Sequence, residues 1–179
     1  MINIINESFK HGNNFEIGSF CVIEEDVVVG NNVTIGNNVV IKSGCRIGDG
    51  TQIDHFVLLK NNTIIGENTF IDSYFRSSGD NKIGNNVTLR FGSTIARFVI
   101  VKDGAFIAPN VMTIYSRHTG EKVPGTIIGK NAHIGTAAVL GPGVEIGDNV
   151  VIGSQAFVSK DCLEEGIYVG VPAKKIRDL

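Results

Sequence analysis

The chain has 179 residues, 42% of them hydrophobic, and a formal net charge of −2. That length suits one domain with its own core, and the balanced charge lacks the basic face that nucleic-acid binding needs. No apolar run approaches the ~18 residues of a membrane span, and the opening Met1-Ile2-Asn3-Ile4-Ile5-Asn6 is too short and uncharged for a signal peptide; the expectation is a soluble cytoplasmic protein with neither a nucleic-acid nor a membrane partner.

Residues 1–16 show no periodicity and are expected to cap the body that follows. From Ile17 an aliphatic residue recurs every six positions through Ile23, Val29, Ile35 and Ile41 to Ile107, and of these sixteen positions only Ser77 departs. The second place of the hexad is often Gly, as at Gly30, Gly36 and Gly66, and the third and fourth are polar, as at Asn31-Asn32 and Asn85-Asn86. The fifth is small or β-branched. The first and fifth places therefore face one core, while Gly and Asn accept the left-handed backbone of a corner. Cys21, Cys45 and Cys162 fall in the fifth place without CxxC spacing, so they read as small buried side chains rather than as ligands or a disulfide.

A six-residue period is incompatible with a 3.6-residue helix and predicts an all-β chain. Three hexads close a triangular turn, residue n lies beneath n+18, and about eight turns stack as three parallel sheets with the ~4.8 Å spacing of neighbouring strands. At Ser77 two readings stand: a loosened corner, or a ligand rim formed by Tyr74 and Arg76. Hexad coils are assigned to 17–113. The rhythm then lapses into an excursion over 114–127 that carries His118, one of four histidines. It resumes at Ile128 and runs through Ile134, Leu140, Ile146 and Ile152 to Val158, with coils to 163. Residues 164–179 read as an extended strand and a short basic tail.

With the hexads and the looped-out histidine established, the chain resembles the hexapeptide-repeat acyltransferases, whose coil is a left-handed parallel β-helix. Over 101–177 the likeness is to the galactoside and maltose acetyltransferase branch. It is carried by Ile107-Ala108-Pro109-Asn110-Val111, by His118 at the spacing of that branch's catalytic histidine, by Ile128-Gly129-Lys130-Asn131-Ala132-His133-Ile134-Gly135, and by Gly170-Val171-Pro172-Ala173-Lys174. His133 stands where that branch has Trp, and Arg90-Phe91-Gly92-Ser93 stands where it has a substrate-binding Asn. The longer N-terminal run of hexads is similar to acyltransferases acting on nucleotide-linked sugars.

The resemblance implies a homotrimer that takes acetyl-CoA and a sugar or nucleotide-sugar acceptor, with active sites between subunits. The outward Phe20, Phe56, Phe98 and Phe106 suit such packing. In this scheme His118 is the general base and Thr136 stabilises the oxyanion. Thr136, Ser154, Ser159 and Lys160 line the coenzyme A arm with His133 beside it, while Lys174 and Arg177 face its phosphates. Asn110, Arg90, Tyr74 and Arg76 are the acceptor-side candidates, and no metal is expected. Taken alone, His133 is an outward surface histidine, and Arg90 stacks over Asp72 in a plain ion pair. Three other functions compete: N-acetylation assisted by the substrate without a protein base, a zinc carbonic anhydrase, and a non-catalytic β-helix. The second needs three converging histidines, and the spacing of His55, His118 and His133 does not supply them.

Overall fold

The computed structural model describes residues 2–121 and 123–179, and none of the described residues is helical. The chain winds as a β-solenoid of two-residue strands stacked into three sheets of nine, eight and ten strands. The first sheet begins at Ile4–Ile5, the second at Lys10–His11 and the third at Glu16–Ile17. Pairing between coils is parallel at a separation of 18 residues, as in Leu58 with Val40 and with Arg76. No helix among the described residues is long and apolar enough to cross a membrane.

The solenoid has about nine turns rather than eight, because 4–17 is itself a coil and not an irregular cap. Ile5 and His11 continue the six-step series backwards from Ile17, and the polar His11 conceals it. The C-terminal segment likewise differs from a free tail. Ile167–Val169 adds to the third sheet, and Lys174–Arg177 folds back antiparallel on it.

The first and fifth columns fill the bore. Ile35, Ile41, Ile53, Leu59, Ile65, Ile71, Leu89 and Ile95 are fully buried, each contributing about 1.5–3 kcal/mol of apolar transfer. Phe75 breaks the small-residue habit of the fifth column, and its buried ring offsets the volume lost at the neighbouring Ser77. Cys21, Cys45 and Cys162 are buried and free, as expected of packing residues, and desolvation pushes the Cys45 and Cys162 thiols up to about 11.

The corners explain the polar third and fourth places. Asn32, Asn62, Asn86 and Asn110 all adopt positive φ. The residue before them often reaches down to accept a corner N–H of the coil beneath, as Asp49 does from Asn31 and Asn85 from Glu67, both at 2.8 Å. His55 does the same for Asn37 at 2.8 Å. A backbone N–H can only donate, so His55 accepts on Nδ1 and carries its proton on Nε2. The second-place Gly answers to contact: a Cβ on Gly129 would lie 2.4 Å from the Gly147 backbone one coil above.

Candidate active site

The excursion leaves the edge between the first and second sheets after Met112–Thr113 and returns at Ile127–Ile128. Across it Ile100 pairs with Ile127, 27 residues on instead of 18, so nine extra residues loop out. Its root is fixed on that edge: the Tyr115 ring lies 5.8 Å from Phe98, and a Cβ on Gly125 would come 1.7 Å from the Phe98 carbonyl, so only Gly lets the chain return there. The tip is a self-contained turn. Gly120 N–H donates to the Arg117 carbonyl at 2.9 Å, Arg117 N–H to the Glu121 carbonyl at 3.2 Å, and the Arg117 guanidinium meets the Glu121 carboxylate at 3.2 Å. His118 sits in that turn, exposed, and makes no hydrogen bond to another described residue.

The remaining predicted residues divide between edges. Tyr74, Arg90, Asn110, Thr136 and Ser154 lie along the edge between the third and first sheets. Thr136 and Ser154 occupy successive coils there, both exposed, with Gln155 N–H on the Thr136 carbonyl at 2.9 Å. The C-terminal hairpin brings Lys174 to the top of the same edge, because its turn is hydrogen-bonded to the Phe157 backbone through Gly170 and Ala173. Ser159 and Lys160 fall instead on the first–second edge, on the side of His118. Arg177 pairs with Ile167 at the far end of the hairpin. One chain therefore groups Thr136, Ser154 and Lys174, and keeps them apart from His118, Ser159, Lys160 and Arg177.

His133 points outward from the third sheet with its ring stacked on Phe106, 4.8 Å away and 6° from parallel. Arg90 pairs with Asp72 at 3.2 Å and reaches over the Phe70 ring, so the ion pair suggested by the spacing is formed. Tyr74 stacks on Phe56 at 5.0 Å and meets Phe91 edge-on at 5.3 Å, while Arg76 faces outward from the first sheet. Ser77 is buried and hydrogen-bonded, so its corner is not loosened. Among the described residues, no group of three or more His, Cys, Asp or Glu side chains could hold a metal ion.

Beneath the excursion, Lys60, Asn61, Ser78, Arg97 and Tyr115 line an open cleft of about 320 Å³. Arg97 is held there by Asp80 at 2.9 Å and over the Phe98 ring. These residues escaped the sequence reading because their proximity depends on stacking at one edge. Counting 18 from Lys60-Asn61 reaches Ser78, and a further coil reaches Arg97, but Tyr115 becomes their neighbour only through the excursion's root.

The family model of the GMPPB C-terminal domain matches residues 5–115, and that of the bacterial transferase hexapeptide (six repeats) matches 125–160. The residues between the two matches, 116–124, are nine in number, the same length that the strand register shows to be inserted. Among solved structures, LpxA from Bacteroides fragilis, a UDP-N-acetylglucosamine acyltransferase, aligns with a TM-score of 0.84 at 23% identity, over 98% of this chain and 74% of that one. LpxA from Acinetobacter baumannii aligns with a TM-score of 0.87 at 22% identity, over 97% and 71%. A variant of AntD, an N-acyltransferase from Bacillus cereus solved with dTDP and coenzyme A, aligns at 0.53 and 20% identity, over 93% and 85%. At these identities the likeness is one of fold. A search of curated protein sequences finds no significant match. The extent of the first match decides the matter: the chain belongs to the family of the GMPPB C-terminal domain, a hexapeptide-repeat β-solenoid whose upper coils carry the repeat of the bacterial transferases.

Proposed function

We propose that the chain is an acyltransferase on a left-handed β-helix that moves an acetyl group from acetyl-CoA to a hydroxyl or amine of a sugar, with a nucleotide-linked sugar as the favoured acceptor. The observation that carries this reading is the placement of His118: an exposed imidazole on a nine-residue insertion into an otherwise unbroken solenoid. LpxA is a UDP-N-acetylglucosamine acyltransferase and AntD was solved with dTDP and coenzyme A, and both support that acceptor class and that donor.

Thr136, Ser154 and Lys174 would hold the donor along the third–first edge, with the thioester near Thr136 and the phosphates near Lys174. His133 would lie beside the arm. The acceptor would approach on the side of Asn110. His118 takes its proton as the acceptor oxygen or nitrogen attacks the thioester carbonyl, and Thr136 donates to the oxyanion. Collapse breaks the carbon–sulfur bond, and the proton passes to the leaving thiolate, giving the ester or amide and free coenzyme A.

Because His118 and Thr136 occupy different edges of one prism, this mechanism needs the excursion of a neighbouring copy. A closed three-fold ring supplies it and covers exposed Phe20, Phe56 and Phe98. Sedimentation at micromolar concentration should give three times the 19.2 kDa chain mass; a species of one chain mass would remove the composite site. The reaction itself is tested by a panel of hydroxyl and amino sugars, free and nucleotide-linked, scored for thiol release from acetyl-CoA. Silence across the panel would overturn the acetyltransferase reading.

One observation favours a second version. His118 has no orienting partner among the described residues, whereas a general base is commonly held by a third group. N-acetylation of an amino sugar, with the substrate's own amine as nucleophile, would dispense with it.

A further inference from the structure

Most of the bore is apolar, and the hydrogen bonds that link buried side chains to one another gather at one corner, directly below the excursion. Elsewhere each buried hydroxyl is spent on a nearby carbonyl, as Thr51 on Gly66 at 2.8 Å, Thr69 on Gly84 at 3.0 Å and Ser93 on Arg90 at 2.8 Å. Among the described residues, the hydrogen bonds between two side chains that lie fully inside the protein are Thr63 with Ser77, 2.6 Å, and Ser77 with Asn81, 2.5 Å.

The donors in this cluster can be ordered. Asn81 Nδ2 donates to the Ala96 carbonyl, which turns Asn81 Oδ1 towards Ser77. The Ser77 hydroxyl gives its proton to that oxygen and accepts from Gly79 N–H at 3.1 Å, so across the Thr63–Ser77 contact Thr63 is the donor, its hydrogen shared with the Lys60 carbonyl at 2.7 Å. Ala96 is gripped a second time, since its N–H donates to Thr113 Oγ1 at 2.7 Å. That last bond departs from the ladder. One coil below, Ser78 N–H bonds the carbonyl of Ile95, 17 residues on, at 2.8 Å. The same rule would send Ala96 N–H to the Thr113 carbonyl, but the side-chain oxygen takes it. The Ile95–Thr113 pairing accordingly drops out, while Thr94–Met112 remains below and Thr113–Leu140 remains above.

We propose that Thr63, Ser77, Asn81 and Thr113 form a hydrogen-bonded strut inside the first–second edge, and that Thr113 is a positioning residue through which it aims the excursion. Thr113 is where the backbone lets go of the coil below. Its hydroxyl supplies the acceptor that the departing carbonyl no longer provides, and so fixes the angle of departure. His118 stands five residues further on, in a turn whose hydrogen bonds among the described residues stay within 117–121, so its direction is inherited from this root and from the Gly125 return. The departure of Ser77 from the six-step rule is explained by the same strut, because an aliphatic residue there would leave Asn81 Oδ1 without its donor. The part of this inference that concerns turnover rests on the reading of His118 as the base.

Thr113→Val keeps the shape and removes the acceptor, whereas Thr113→Ser keeps the hydroxyl. In native-state hydrogen exchange the amides of Ala96, Arg117 and Gly120 should exchange at least tenfold faster in the Val variant and close to the parent rate in the Ser variant. Acetyl transfer should fall at least tenfold in the Val variant, with the Kd for coenzyme A unchanged, and be rescued in the Ser variant. Unaltered exchange at Arg117 and Gly120 in the Val variant would overturn the strut, as would a Ser variant as impaired as Val. Faster exchange combined with full turnover in both Thr113→Val and His118→Ala would leave the strut standing and overturn the base.

Discussion

Replacing Ile95 with Asp should leave no folded protein, whereas Ile95→Val should fold with a loss of about 0.5–1.5 kcal/mol. Ile95 is fully buried on the first sheet, midway along the stack. Its removal forfeits about 1.5–3 kcal/mol of transfer free energy, and an ionised carboxylate there costs several kcal/mol more. The hydroxyls of Ser77 and Thr113, on the same inward column, give no relief because they are already bonded to Asn81 and Ala96. Against a typical stability of about 5–15 kcal/mol the combined loss is decisive. Position adds to it, since each coil touches only its neighbours and a failed central coil separates the two halves of the stack. The measurement is the thermal transition by circular dichroism. An Asp variant that melts like the parent would show that the six-step register places the wrong side chains inside.

The legibility of the fold followed from how each residue spends its side chain. Where the inward place is aliphatic, from Ile17 to Ile71 and from Ile128 to Val158, the period alone located every coil, because nothing but burial constrains those positions. Where an inward place serves another task the period failed. His11 hid the first coil. Thr113 is inward and buried like its aliphatic predecessors, but as a polar residue it made the rhythm seem to stop at Ile107. The sequence placed an excursion over 114–127, and the nine extra residues became readable only from the Ile100–Ile127 register. The sequence could list candidate residues for the site but could not show how they are arranged. Thr136 and Ser154 could be stacked by counting 18, but the antiparallel return that carries Lys174 up and Arg177 away has no periodic signal. The handedness of the coil came from resemblance, since spacing is the same for either hand.

His118→Ala should lower acetyl transfer by about 10²–10⁴-fold, the usual worth of a general base and equivalent to about 2.7–5.5 kcal/mol of transition-state stabilisation. The fall should appear in kcat, with the Kd for coenzyme A by calorimetry nearly unchanged, because His118 lies on the first–second edge and Thr136, Ser154 and Lys174 on another. Stability should also be unaffected, since the His118 side chain is exposed and holds no hydrogen bond to a described residue. His133→Ala is the informative comparison. Its ring is stacked on Phe106 at 4.8 Å, so the substitution removes a surface contact beside the proposed donor arm and should cost much less turnover than His118→Ala. Full activity in His118→Ala would mean that the acceptor's own amine needs no protein base and would move the reaction to N-acetylation. A collapse confined to His133→Ala would mean that the histidine on the flat third sheet, not the one on the excursion, takes the proton.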